Sequence, residues 1–137
     1  MHSEEYFSTE IEVTDAEVDP QYHHVHHASV VEFLEMARLR LLESKGVPQT
    51  SFTDQGLLIV VTRMQVQFRG EIHKGKYQVL CFLPEIHSRK ILIGQGIAST
   101  DGQLVVEAQI ELMFMDSKSR RVVSPPRRFI EAFLRVQ

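Results

Sequence analysis

Residues 15–27 read Asp15-Ala16-Glu17-Val18-Asp19-Pro20-Gln21-Tyr22-His23-His24-Val25-His26-His27, which gathers carboxylates and imidazoles into one short polar stretch. A helical apolar pattern begins at His27, so this stretch is expected to lead into a helix. A helix start offers free N–H groups and partial positive charge, a setting suited to an oxyanion. An aspartate a few residues upstream can act there as nucleophile or general base. Carboxylate plus N–H donors is sufficient equipment for acyl transfer. Asp19 is the candidate carboxylate, although Asp19-Pro20 taken alone reads first as a turn.

Four of the five residues at positions 23–27 are histidine. His23 with His26 or His27 has a spacing that would converge on a metal if helical. No distant Cys, His or Asp set completes a ligand pattern, so no metal and no cofactor is expected. Hydrogen bonding within the loop and helix cap accounts for His23 and His24. His27 is a candidate site residue and His26 a candidate substrate contact. Glu35, two turns into the helix, reads as an exposed residue or a partner of Arg38. The single cysteine, Cys81, lies in Val79-Leu80-Cys81-Phe82-Leu83 and is expected to be a buried, inert thiol.

The elements that would position these groups follow from periodicity. A first strand is expected over Tyr6–Val13, where Phe7, Thr9, Ile11 and Val13 alternate with polar residues. A helix is expected over His27–Ser44. Its apolar stripe is Val30, Val31, Leu34, Ala37, Leu41 and Leu42, with Glu32, Glu35, Arg38 and Arg40 on other faces, and Gly46 and Pro48 stop it. Strands are expected over residues 57–68, 77–83, 91–99 and 104–115, with turns at 73–76, 84–90 and 116–121. Asp101-Gly102 marks a hairpin. Pro125-Pro126 ends the strand region, and residues 127–134 suit a short terminal helix. One helix stripe and a mostly antiparallel sheet with one buried face need each other, which makes the chain α+β. The remaining sheet edges and outer face make self-association plausible.

The length of 137 residues fits one domain spanning 1–137. A net charge of −3 and the absence of any long apolar run argue against a general nucleic-acid binder and against a membrane-spanning helix. The polar start, Met1-His2-Ser3-Glu4-Glu5, lacks the basic and apolar regions of a secretory signal, so a cytoplasmic protein is expected. The basic pairs Arg89-Lys90, Arg120-Arg121 and Arg127-Arg128 all fall in the second half, where they could meet a phosphorylated ligand.

The run from His27-Ala28-Ser29 through Phe33 to Glu35-Met36-Ala37-Arg38, preceded by Asp19, resembles the helix opening of hotdog-fold thioesterases. It is similar to the 4-hydroxybenzoyl-CoA thioesterase family, the Tol-Pal-associated acyl-CoA thioesterases and the plant and cyanobacterial acyl thioesterases. The segment from Val61 to Phe68, the turn at Gly75, Glu107-Ala108 and Asp116 extend the resemblance over nearly the whole chain. It implies a hotdog fold, a mostly antiparallel sheet wrapped around one long central helix. It also implies hydrolysis of an acyl-CoA or acyl-carrier-protein thioester by a homo-oligomer, dimer or tetramer. Asp19 would attack the carbonyl or activate water, and a backbone N–H near His27 would polarise the carbonyl oxygen. Arg89, Lys90, Arg127 and Arg128 become candidates for coenzyme A phosphates. Two departures stand out. Tyr22 or His23 occupies the place of the family's loop glycine, and the stretch between Asp19 and His27 is one residue longer. The Asp19/His24 spacing also resembles the hydratase branch of the fold, without that branch's Asn-Pro element. A non-catalytic acyl-binding module is a third reading.

Overall fold

A computed structural model describes residues 5–134. Four residues of the polar start, Met1-His2-Ser3-Glu4, lie outside these residues. The first strand, β1 (Tyr6–Val13), leads through a short 3-10 turn (Asp15–Glu17) and a loop into the long helix α1 (His27–Ser44). A short helix α2 (Gln49–Thr53) follows. Strands β2 (Leu57–Phe68), β3 (Gly75–Phe82), β4 (Glu85–His87), β5 (Lys90–Ser99), β6 (Leu104–Asp116) and β7 (Val122–Val123) come next, and helix α3 (Arg127–Ala132) last.

The strands form one antiparallel sheet in the order β1-β3-β5-β6-β2, with β4 extending along β5 and β7 along β6. Strand alternation sends Ile11, Val13, Val79, Cys81, Ile91, Ile93, Ile97, Val106, Ala108, Ile110 and Phe114 to one buried face. Helix α1 covers that face with Val30, Leu34, Ala37, Leu41 and Leu42. This is the hotdog arrangement that the resemblance implies. Among the described residues, β1 and β2 are the edge strands. A bulge at Thr62 interrupts the β2–β6 register, a device that bends and blunts an exposed edge.

Three local expectations need correction. Residues 84–90 are not a plain turn, because β4 pairs Ile86 with Ile91 and tightens the turn to Ser88 and Arg89. Helix α2 is an additional element, held by Phe52, which is fully buried edge-on against Phe114 and Phe129. Arg38 does not face solvent. It lies buried within α1, where its Nη1 donates to Gln95 Oε1 at 2.9 Å, and Gln95 Nε2 donates to the Leu34 carbonyl at 2.9 Å and to Cys81 Sγ at 3.1 Å.

Candidate active site

The stretch between β1 and α1 is built from nested local hydrogen bonds. Thr14 caps the 3-10 turn reciprocally with Glu17: the Thr14 N–H donates to Glu17 Oε1 at 2.8 Å, and the Ala16 N–H donates to Thr14 Oγ1 at 3.3 Å. Val18 and Val25 then bridge in antiparallel fashion. Residues 19–24 form the loop between them, closed by Asp19 N–H to His24 O at 2.9 Å and His23 N–H to Asp19 O at 2.8 Å. His23 takes the left-handed backbone conformation, with φ of 62°. Of the two residues that could stand at the family's glycine position, His23 is therefore the one that adopts glycine's backbone geometry. Two further bonds anchor the loop, from Val25 N–H to Ile72 O at 2.7 Å and from His26 N–H to Glu17 O at 3.0 Å.

Within this loop Asp19 accepts on Oδ1 from the N–H groups of Gln21 at 2.7 Å and Tyr22 at 3.1 Å. These two bonds lower its pKa below the ordinary carboxylate value. Oδ2 has no partner among the described residues. His26 is the N-cap of α1: its carbonyl accepts from Ser29 and Val30, and its Nδ1 accepts from the Ala28 N–H at 3.2 Å. The His27 N–H is left without an acceptor among the described residues. It is the free donor at the helix start.

Asp19, Tyr22, His24, His26 and His27 form one wall of a cleft of about 590 Å³. The other wall is Phe68, Arg69, Gly70 and Glu71, which carry the chain from β2 toward β3, and Val25, Val30, Ile72 and Val106 form an apolar floor. Tyr22 and Phe68 are exposed aromatic residues at its mouth. Arg69 is paired with Glu107 at 2.6 Å, and Glu71 lies 3.3 Å from His73. Sequence reasoning did not identify this second wall. Its only local sign is an aromatic residue and a glycine closing a strand, while its contact with the histidine loop spans about fifty positions.

Among the expected site residues, Asp19, His26 and His27 meet in this cleft, and His24 lies beside them. The basic pairs do not. Arg89 and Lys90 sit at the β4–β5 turn, where Arg89 Nη1 donates to Val122 O and Lys90 lies 3.8 Å from Glu111. Arg127 bonds Glu131 on α3. Arg128 bonds the Ser51 hydroxyl and carbonyl and Gln55, and stacks 3.8 Å over the Phe52 ring. Val106 borders the cleft and Leu112 pairs with Ile91. At about 3.3 Å per residue the basic turn is therefore roughly 20 Å from the cleft along the sheet. Glu35 is exposed on α1, away from the cleft. No group of three His, Cys, Asp or Glu side chains converges as a metal site among the described residues.

Comparison with known proteins matches residues 13–133 to the sequence model of the thioesterase-like superfamily. YneP of Bacillus subtilis (strain 168), named as a candidate acyl-CoA thioesterase, is 26% identical over 125 residues, 90% of this chain and 87% of that protein. Among solved structures, the DHNA-CoA thioesterase of Staphylococcus aureus superposes with a TM-score of 0.86 at 23% identity, covering 93% of this chain and 88% of that one. Slr0204 of Synechocystis, a 1,4-dihydroxy-2-naphthoyl-CoA thioesterase, gives 0.86 at 17% identity over 94% and 96%. With the match running from the end of β1 to the end of α3, the chain belongs to the thioesterase-like superfamily.

Proposed function

We propose that the protein hydrolyses an acyl-CoA thioester, with Asp19 as the nucleophile and the N–H groups at the start of α1 as the oxyanion site. The observation that carries this reading is the pairing of an open Asp19 Oδ2 with the acceptor-free His27 N–H in one cleft. Asp19 is a weak base because its proton affinity is lowered. An efficient general base has a pKa near the operating pH, so attack on carbon suits Asp19 better than activation of water. Oδ2 bonds to the thioester carbon, the carbonyl oxygen gains charge against the His27 N–H, and the C–S bond breaks to release thiolate. Water then cleaves the mixed anhydride, giving free acid and returning Asp19 as carboxylate. The apolar floor of Val25, Val30, Ile72 and Val106 receives the acyl group.

The functional unit in this reading is a homo-oligomer joined through the β2 edge. A two-fold antiparallel pairing of β2 with its copy sets the partner's Leu57 end beside the Phe68 end of the first chain. The Leu57 end carries β7, α2, α3 and the β4–β5 turn. The partner's Arg89, Lys90 and Arg127 would then supply the positive charge that the coenzyme A phosphates need. Arg128 keeps the fold-supporting bonds described above.

The test is thiol release from a panel of acyl-CoAs by the wild-type protein, Asp19→Asn and Asp19→Ala. Turnover by the wild type with at least a hundredfold loss in both variants is expected. Full turnover by Asp19→Asn would overturn the mechanism. His24 lines the same cleft and favours one other reading, addition of water to an enoyl-CoA. Hydration of crotonyl-CoA that is lost in His24→Ala would establish it instead.

A further inference from the structure

The first turn of α1 shows how its N–H groups are used. Ser29 and Val30 donate to the His26 carbonyl at 3.0 and 3.3 Å, and Ala28 donates to His26 Nδ1 at 3.2 Å. An imidazole nitrogen that accepts a hydrogen bond carries no proton, so the neutral His26 ring holds its proton on Nε2. That Nε2–H has no acceptor among the described residues, and His26 lines the cleft together with Asp19 and His27. The ring is stacked on that of His27, with centroids 4.5 Å apart and planes at 23°. This contact and the Ala28 bond fix it at two points.

Histidine is an unusual N-cap. Ser, Thr, Asp and Asn cap a helix better, and an aspartate cap here would place a second negative charge beside a forming oxyanion. What the imidazole adds is a second ring nitrogen, held on the far side of the ring from its capping atom and carrying a proton. We infer that His26 Nε2–H is the second donor of the oxyanion site, acting with the His27 N–H on the carbonyl oxygen of the thioester. His26 donates a hydrogen bond and transfers no proton, so it is unchanged when thiolate leaves. The inference rests on the thioester-hydrolase reading and adds a catalytic residue to it. Its position explains why one ring both closes the helix start and borders the reacting carbon.

His26→Asn is the discriminating variant. Its side-chain oxygen still caps Ala28, but no donor reaches the Nε2 position. The expected result, in a wild-type protein shown to release thiol from acyl-CoA, is a kcat about a hundredfold lower. KM should stay within threefold and Tm within a few degrees. Long-range 1H–15N spectra of the wild type should show His26 protonated on Nε2 and bare on Nδ1. A kcat within threefold of wild type, or a proton found on Nδ1, would overturn the inference while leaving thioester hydrolysis intact. If His26→Asn fails to fold, the wild-type spectrum still decides. A wild type that cleaves no thioester in the panel would remove the hydrolase reading, and the oxyanion role with it.

Discussion

Asp19 holds its negative charge because Gln21 and Tyr22 direct N–H groups at one of its oxygens, a benefit that slight desolvation only partly offsets. Its folded pKa is depressed, so the carboxylate stays ionised above the ordinary aspartate pKa of about 4 and is lost only as pH falls through the lowered value. The pH profile of kcat should therefore carry no acid limb from Asp19 in the range from about 4 to 5, and a limb centred there would contradict this assignment. His23 presents the opposite situation, a residue in a backbone conformation that costs non-glycine residues roughly 1–2 kcal/mol. His23→Gly should leave Tm within a few degrees, because relief of strain and added unfolded-state entropy oppose each other. His23→Val, β-branched at positive φ, should lower Tm and thiol release together. The sequence showed that glycine was missing from this loop. Only the backbone path identifies His23, rather than Tyr22, as the residue bearing the consequence.

The long helix and the main strands were legible because each carries its own period. The α1 stripe ends at Gly46 and Pro48, and β1 alternates over Tyr6–Val13 within the bounds expected. Elements that depend on tertiary contacts were not. Helix α2 has five residues and no periodicity, and persists because Phe52 fills the cluster with Phe114 and Phe129. Strand β4 is short and mostly polar, and is defined by its pairing with β5. Periodicity sets Arg38 off the apolar stripe of α1, and its burial depends on a partner from another element. Here burial lowers its pKa, and Gln95, itself an inward residue of β5, receives its hydrogen bond. Gln95→Leu would leave a buried guanidinium short of an acceptor and should destabilise the fold by about 2–3 kcal/mol in urea titration. The double variant Arg38→Met/Gln95→Leu should recover most of that loss, since a packed apolar pair replaces a buried charge with little penalty. Equal loss in the single and double variants would show that the polar link is not the source of the effect.

At the scale of the molecule, the cleft and the pairs Arg89-Lys90 and Arg127-Arg128 lie at opposite ends of one sheet, a separation invisible in a linear order. The Phe68–Ile72 wall and the histidine loop are joined by long-range bonds such as Val25 N–H to Ile72 O, which no periodicity records. The two-fold pairing along β2 proposed above would resolve the separation by bringing each end beside the other end of a copy. Val61 is exposed on that edge next to the bulge. Val61→Lys should shift light-scattering mass toward the monomer and reduce turnover in parallel, because like charges would face each other across the axis. A variant that becomes monomeric yet retains full activity would refute a site completed by a second copy.

Cys81 has a further use at the bench. It is the sole cysteine of the sequence, fully enclosed beneath α1, with burial pushing its pKa up to about 11. Disulfide reagents react with thiolates they can reach. The folded protein should therefore be invisible to a colorimetric thiol reagent until denaturant is added, when one equivalent per chain should appear. Every sulfhydryl registered during an assay on the native protein then comes from liberated coenzyme, and the blank needs no correction for the catalyst.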